Sequence, residues 1–166
     1  WYFDAPKQLA VDDSGNVYVA DSNNHRIQKF SSAGAFVTRW GASGTGEGDF
    51  GFTYGVAVDG SGNVYVADTY NDRVQKFTAS GEYVTQWGVY GNGEGEFSGP
   101  RGIALDADGN VYVADTGNDR IQKFTALGSF VAKWGIHGEG DGEFNGPMGI
   151  VVEGSGAVYV ADYYND

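Results

Sequence analysis

The 166-residue sequence predicts an all-β fold assembled from tandem copies of one small sheet, and three observations carry that prediction. First, Val17, Val64, Val111 and Val158 each open a copy of Val-Tyr-Val-Ala-Asp, spaced by 47 residues with no insertion or deletion. Second, each period contains short runs of alternating polarity, dense in Val, Ile, Tyr, Phe and Trp and separated by Gly, Asp, Asn and Ser, the pattern of strands and hairpins. Third, no apolar run is long enough for an α-helix. A strict period in this range marks units that cannot bury an apolar face alone and must stack on their neighbours.

Residues 97–143 show the unit most cleanly. Gly102 to Asp106 reads as a first strand, and Asp106 to Asn110 as a tight turn. Asn110 to Ala114 is the second strand and Arg120 to Phe124 the third. Ala126 to Gly128 turns the chain into a fourth strand, Ser129 to Trp134. Four antiparallel strands, repeated with Gly-rich crossings, describe the blade of a β-propeller. The chain is therefore one propeller segment with full blades at 3–49, 50–96 and 97–143 and a two-stranded half blade at 144–166. Because propellers close with about four to eight blades, the segment is expected to be part of a longer ring or to complete a ring as a homo-oligomer. Strand exchange does not repair the half blade, since every copy offers spare first and second strands and none offers spare third and fourth ones. Trp1 in place of Met suggests that something precedes it.

The repeated strings also carry a family resemblance. Gly-(Ile/Val)-Ala-(Val/Leu)-Asp, Asn-Val-Tyr-Val-Ala-Asp-Thr, Asn-Asp-Arg-(Ile/Val)-Gln-Lys-Phe, Trp-Gly and a Gly-Glu-Gly-Glu-Phe loop together resemble the NHL repeat. That resemblance implies a propeller, commonly six-bladed. It leaves activity open, because propellers of this type serve as protein-binding platforms, as RNA-binding surfaces, or as lyases and lactonases.

Composition narrows those options. Ten Lys and Arg against 22 Asp and Glu give a net charge of −12, whereas a nucleic-acid surface needs a basic patch. Arg26, Lys29, Arg73, Lys76, Arg120 and Lys123 occupy two repeated places in the third strand, leaving Lys7, Arg39, Arg101 and Lys133 elsewhere. Nucleic acid and anionic membrane surfaces are thus not expected partners, and no run approaches the roughly 20 apolar residues of a membrane-spanning helix. No cysteine is present, so neither a disulfide nor a thiolate site is available. Four Trp and eleven Tyr in an acidic β chain suit an extracellular or periplasmic binding module, an expectation drawn mainly from the resemblance.

Several recurrent residues read as framework. Tyr18, Tyr65, Tyr112 and Tyr159 lie mid-strand, and Trp40, Trp87 and Trp134 close the fourth strand, where large rings fill the space between twisted sheets. Asp21, Asp68 and Asp115 precede Arg26, Arg73 and Arg120 by five residues. These are expected to pair across the connection, with the carboxylate capping backbone N–H groups in an Asx-type turn.

The acidic loops bring Glu47, Asp49, Glu94, Glu96, Asp141 and Glu143 into equivalent places. Calcium takes oxygen ligands of this kind. Two carboxylates across a glycine suit a chain crossing with positive φ better, so no cofactor is expected and calcium is the alternative. The turn from Asp106 to Asn110 likewise reads as a hairpin.

Function is expected where residues vary inside a constant frame. Just before the first strand come Lys7, Tyr54, Arg101 and Met148. The second-to-third-strand connection brings His25 and Tyr70, and the segment after the tryptophan brings Tyr90 and His137. In a propeller the pre-strand and connecting loops share one face around the channel mouth, where loops on a rigid frame bind ligands. The mixed surface suits a protein or peptide, or a carbohydrate. A metal-dependent propeller lyase or lactonase with ligands partly in missing blades is the alternative; within this chain His25 and His137 fall at different repeat positions, are not expected to converge, and read as solvated loop side chains. A designed or recently amplified repeat without an evolved ligand is the third reading.

Overall fold

The structure, a computed structural model, describes residues 2–165; Trp1 and Asp166 lie outside the described residues. Three four-stranded antiparallel sheets and one two-stranded sheet follow in chain order. The first holds β1 (Pro6–Val11), β2 (Val17–Asp21), β3 (Arg26–Phe30) and β4 (Phe36–Trp40). The second holds β5 (Thr53–Val58), β6 (Val64–Asp68), β7 (Arg73–Phe77) and β8 (Tyr83–Trp87). The third holds β9 (Pro100–Leu105), β10 (Val111–Asp115), β11 (Arg120–Phe124) and β12 (Phe130–Trp134), and the fourth β13 (Pro147–Val152) and β14 (Val158–Asp162). Strands pair in sequence order, and the first strands β1, β5, β9 and β13 lie side by side. This is an arc of a β-propeller with those four strands on the axis side.

Two details differ from the sequence-based expectation. Each first strand starts earlier than its alternation suggests, so Lys7, Tyr54, Arg101 and Met148 are its second residue and not a loop before it. Pairing of Pro6 with Asp21 and of Pro100 with Asp115, across a bulge, extends the strand through residues that break the alternation. The second-to-third-strand connection is a single 3₁₀ turn in each full sheet, at Ser22–Asn24, Thr69–Asn71 and Thr116–Asn118. His25, Asp72 and Asp119 then end it at φ +51°.

The core lies between sheets. Tyr18, Ala20 and Ile27 pack against Phe50 of the crossing and Val56, Val64, Val66 and Phe77 of the next sheet. The second and third sheets repeat the arrangement around Tyr65, Phe97, Ile103 and Phe124. Trp40 bridges the interface, 5.9 Å from the Phe77 ring and edge-on to Tyr18, and Trp87 does the same with Phe124 and Tyr65. Tyr159 and Trp134 depart from the core expectation and are exposed, because no further strand covers them among the described residues. The first strands approach so closely that a Cβ on Gly55 would sit 2.2 Å from the Arg101 carbonyl oxygen. Glycine there lets adjacent axial strands touch.

Candidate functional site

One frame positions every variable residue. Pro6 pairs with Asp21, Asp21 with Arg26 and Ile27 with Trp40. The start of the first strand, the 3₁₀ connection and the crossing to the next sheet therefore share one end of each sheet. The hairpin turns at Asp12–Asn16 and Ser31–Ala35 occupy the other.

Buried aspartates fasten that end. Asp68 Oδ2 accepts from Arg73 Nε at 2.8 Å, Asn71 Nδ2 at 2.9 Å and Gln75 Nε2 at 3.1 Å, while Oδ1 accepts the Gly51 N–H at 2.8 Å. Asp115 repeats the set with Arg120, Asn118, Gln122 and the Ser98 N–H. The ion pair expected from spacing is present, but the captured N–H belongs to the incoming crossing and not to an Asx turn. Burial pushes the Asp21 carboxyl up; hydrogen bonds from the Asp4 N–H, Arg26, Asn24 and Gln28 outweigh it and hold the group below the usual aspartate value.

The same side chains grip the acidic crossings. Arg73 donates to the carbonyls of Thr45, Gly46 and Asp49, Asn71 to Gly44, and Gln75 to Asp49. Arg120, Asn118 and Gln122 treat Gly91, Asn92, Gly93 and Glu96 alike. The carbonyls a calcium loop would aim at its ion are thus engaged by guanidinium and amide donors. Of the six loop carboxylates, Glu47, Glu94 and Asp141 are exposed. Glu96 and Glu143 turn back to accept the N–H groups of Gly93 and Gly140, and Asp49 lies half-buried over the Cβ positions of Gly44 and Gly46.

On the axial strands, Lys7, Tyr54, Arg101 and Met148 come together. Lys7 Nζ lies 5.9 Å and Arg101 Cζ 5.5 Å from the centre of the Tyr54 ring. Arg101 Nη1 is 3.2 Å and the Tyr54 hydroxyl 3.8 Å from Met148 Sδ. Lys7, Tyr54 and Met148 line a cleft of about 540 Å³ that continues along Ile150, Val151 and Tyr159. Gln8 belongs to the same cleft, and its Nε2 spans from the first sheet to the Ile103 carbonyl of the third at 3.1 Å. Sequence reasoning passed over Gln8. The signal was present, since Gly55, Gly102 and Gly149 hold its repeat position.

The remaining candidates stand apart from this cluster. Tyr70 is exposed and stacks on Phe52 at 5.1 Å. Tyr90 is exposed, its backbone bridged to Phe97. His137 bridges likewise to Phe144, and its Nδ1 lies 2.9 Å from Asp119 Oδ2. His25 is not a solvated loop side chain: its Nδ1 is buried without a partner, in the place where Asp72 and Asp119 accept the N–H groups of Gly99 and Gly146. The crossing into the second sheet has Phe52 where the later ones have those glycines. None of these four shares a hydrogen bond, ion pair or ring contact with the axial cluster, and no group of three His, Asp or Glu side chains converges as a metal site among the described residues.

Fold and site define a β-propeller segment that carries a mixed cationic and aromatic cluster at its axis. The NHL repeat family matches residues 3–30, 55–77 and 97–124, and the chain is an NHL-repeat protein. No curated protein matches it. Among solved structures, a streptogramin B lyase is 22% identical with a TM-score of 0.71, over 93% of this chain and 47% of that one. A protein of unknown function from Bacteroides thetaiotaomicron is 24% identical with a TM-score of 0.72, over 93% and 44%. Hydrazine synthase from Kuenenia stuttgartiensis is 15% identical with a TM-score of 0.73, over 96% and 42%. The chain spans less than half the length of these three proteins, and the likeness is one of fold.

Proposed function

We propose that this chain is a recognition segment without catalysis of its own, presenting the axial end of an NHL propeller to a protein or peptide. One observation carries the reading. At a single repeat position inside an otherwise copied frame, the four units hold Lys7, Tyr54, Arg101 and Met148, and these four side chains meet. Packing does not account for the variation, because core positions later in the same strand keep their type, as Val56, Ile103 and Ile150 do, while this one changes in every unit. Aromatic, Arg and Met side chains are the types enriched in interfaces.

The test is selection of peptides from a random display library on the purified chain, followed by affinity measurement on Tyr54→Ala and Arg101→Ala. Loss of capture on either variant, with the melting curve retained, supports the reading. Unchanged capture on both places recognition on another surface. A lyase reading rests on fold likeness to the streptogramin B lyase, and metal analysis with a lyase assay of the purified chain decides it.

A further inference from the structure

We propose that the Arg101 guanidinium holds a carboxylate of an acidic peptide at the axial cluster, with Lys7 on the Tyr54 ring adding positive charge nearby. The inference rests on the recognition reading and names the ligand chemistry of that site.

Cations elsewhere in this chain set the comparison. Every repeated Lys and Arg finds an oxygen. Arg26, Arg73 and Arg120 pair with aspartates at 2.7–2.8 Å. Lys29 and Lys76 donate to the carbonyls of Ala79 and Ala126, and Lys123 to Asp106. Lys7 and Arg101 break that pattern. Among the described residues Lys7 has only the Tyr54 ring, and Arg101 has that ring and a thioether sulfur, a weak acceptor. A half-buried guanidinium carries five donors in a planar fork that matches a carboxylate, and here the fork has no oxygen to meet. Lys7, over the same ring, adds a second positive charge near the fork, and an anion on Arg101 lowers the repulsion between the two.

The charge of the whole protein selects among anions. At a net −12, a singly charged carboxylate approaches against less repulsion than a phosphate dianion.

The experiment compares a short amidated peptide with one central Glu, the same peptide with Gln, and inorganic phosphate, each titrated into the 166-residue chain by calorimetry. The Glu peptide is expected to bind about tenfold more tightly than the Gln peptide and than phosphate. Arg101→Met should remove that preference and Lys7→Met weaken it, Arg101→Lys should retain part of it, and Lys133→Met should leave it intact. Equal binding of Glu and Gln peptides, or tighter binding of phosphate, overturns the proposal, as does a preference that survives Arg101→Met in folded protein. The library selection separates the two levels. Peptides that need Tyr54 but show no Asp or Glu enrichment sink the carboxylate and spare the recognition reading, whereas no captured peptide at all sinks both.

Discussion

Asp68 and Arg73 meet at 2.8 Å across a 3₁₀ turn, and from that contact the guanidinium reaches three carbonyls of the preceding crossing. One ion pair thus ties a sheet to the segment that enters it. The aspartate is fully buried and the arginine nearly so, which makes the pair costly to break on one side only.

Arg73→Met should therefore destabilise the chain by about 3–5 kcal/mol, leaving a buried carboxylate and open carbonyls. Arg73→Lys should recover little, because one ammonium cannot serve Asp68, Thr45, Gly46 and Asp49 in a planar arrangement. Urea unfolding of the three proteins checks both statements.

Gly88 follows Trp87 at φ +105°, and a Cβ there would lie 2.5 Å from the Phe97 ring. Gly88→Ala combines left-handed strain with a clash in a packed core and should cost roughly 3 kcal/mol. Gly95, at φ +78° with nothing within 4 Å of its Cβ position, should lose only about 1 kcal/mol on the same change. Paired thermal melts give the comparison.

Asp106 sets the acid limb of stability. Burial raises its pKa, but hydrogen bonds from the Asn110 side chain and N–H, Lys123 and Tyr112 lower it to about 2. The folded state thus binds its proton less readily than the unfolded chain. The resulting stabilisation, on the order of 2 kcal/mol, is present above the unfolded pKa of about 4 and is lost as pH falls through about 2. Asp106→Asn should flatten that part of the stability curve in acid titration of the melting point.

Gln8 ties the first and third sheets through the Ile103 carbonyl. Gln8→Gly, which restores the residue found at positions 55, 102 and 149, should cost about 1 kcal/mol and raise amide exchange at the axial edge of β1 relative to β2. An exchange pattern equal to wild type would remove Gln8 from the axial tie.

Strand order and the inter-sheet core were legible because the fixed period locates each strand and a short continuous apolar run marks one buried on both faces, as Val-Tyr-Val-Ala does in β6 and β10. The first-strand starts were harder. Pro100-Arg101 and Pro147-Met148 break the alternation, and proline reads as an interruption although the first residue of an edge strand tolerates it. The buried Nδ1 of His25 was hidden for another reason: its surroundings come from the crossing to the next sheet, and no local pattern reports them. The Lys7, Tyr54, Arg101 and Met148 cluster was visible as variation at one repeat position, while the cross-channel reach of Gln8 required the axial strands to be placed side by side.

Chemical-shift mapping of the chain during titration with a library-selected peptide tests the account most directly. The account predicts perturbations centred on Lys7, Tyr54, Arg101 and Met148 and fading along the axial strands. Perturbations centred instead on the hairpin turns at Asp12–Asn16, Asp59–Asn63 and Asp106–Asn110, at the opposite end of the sheets, would contradict it.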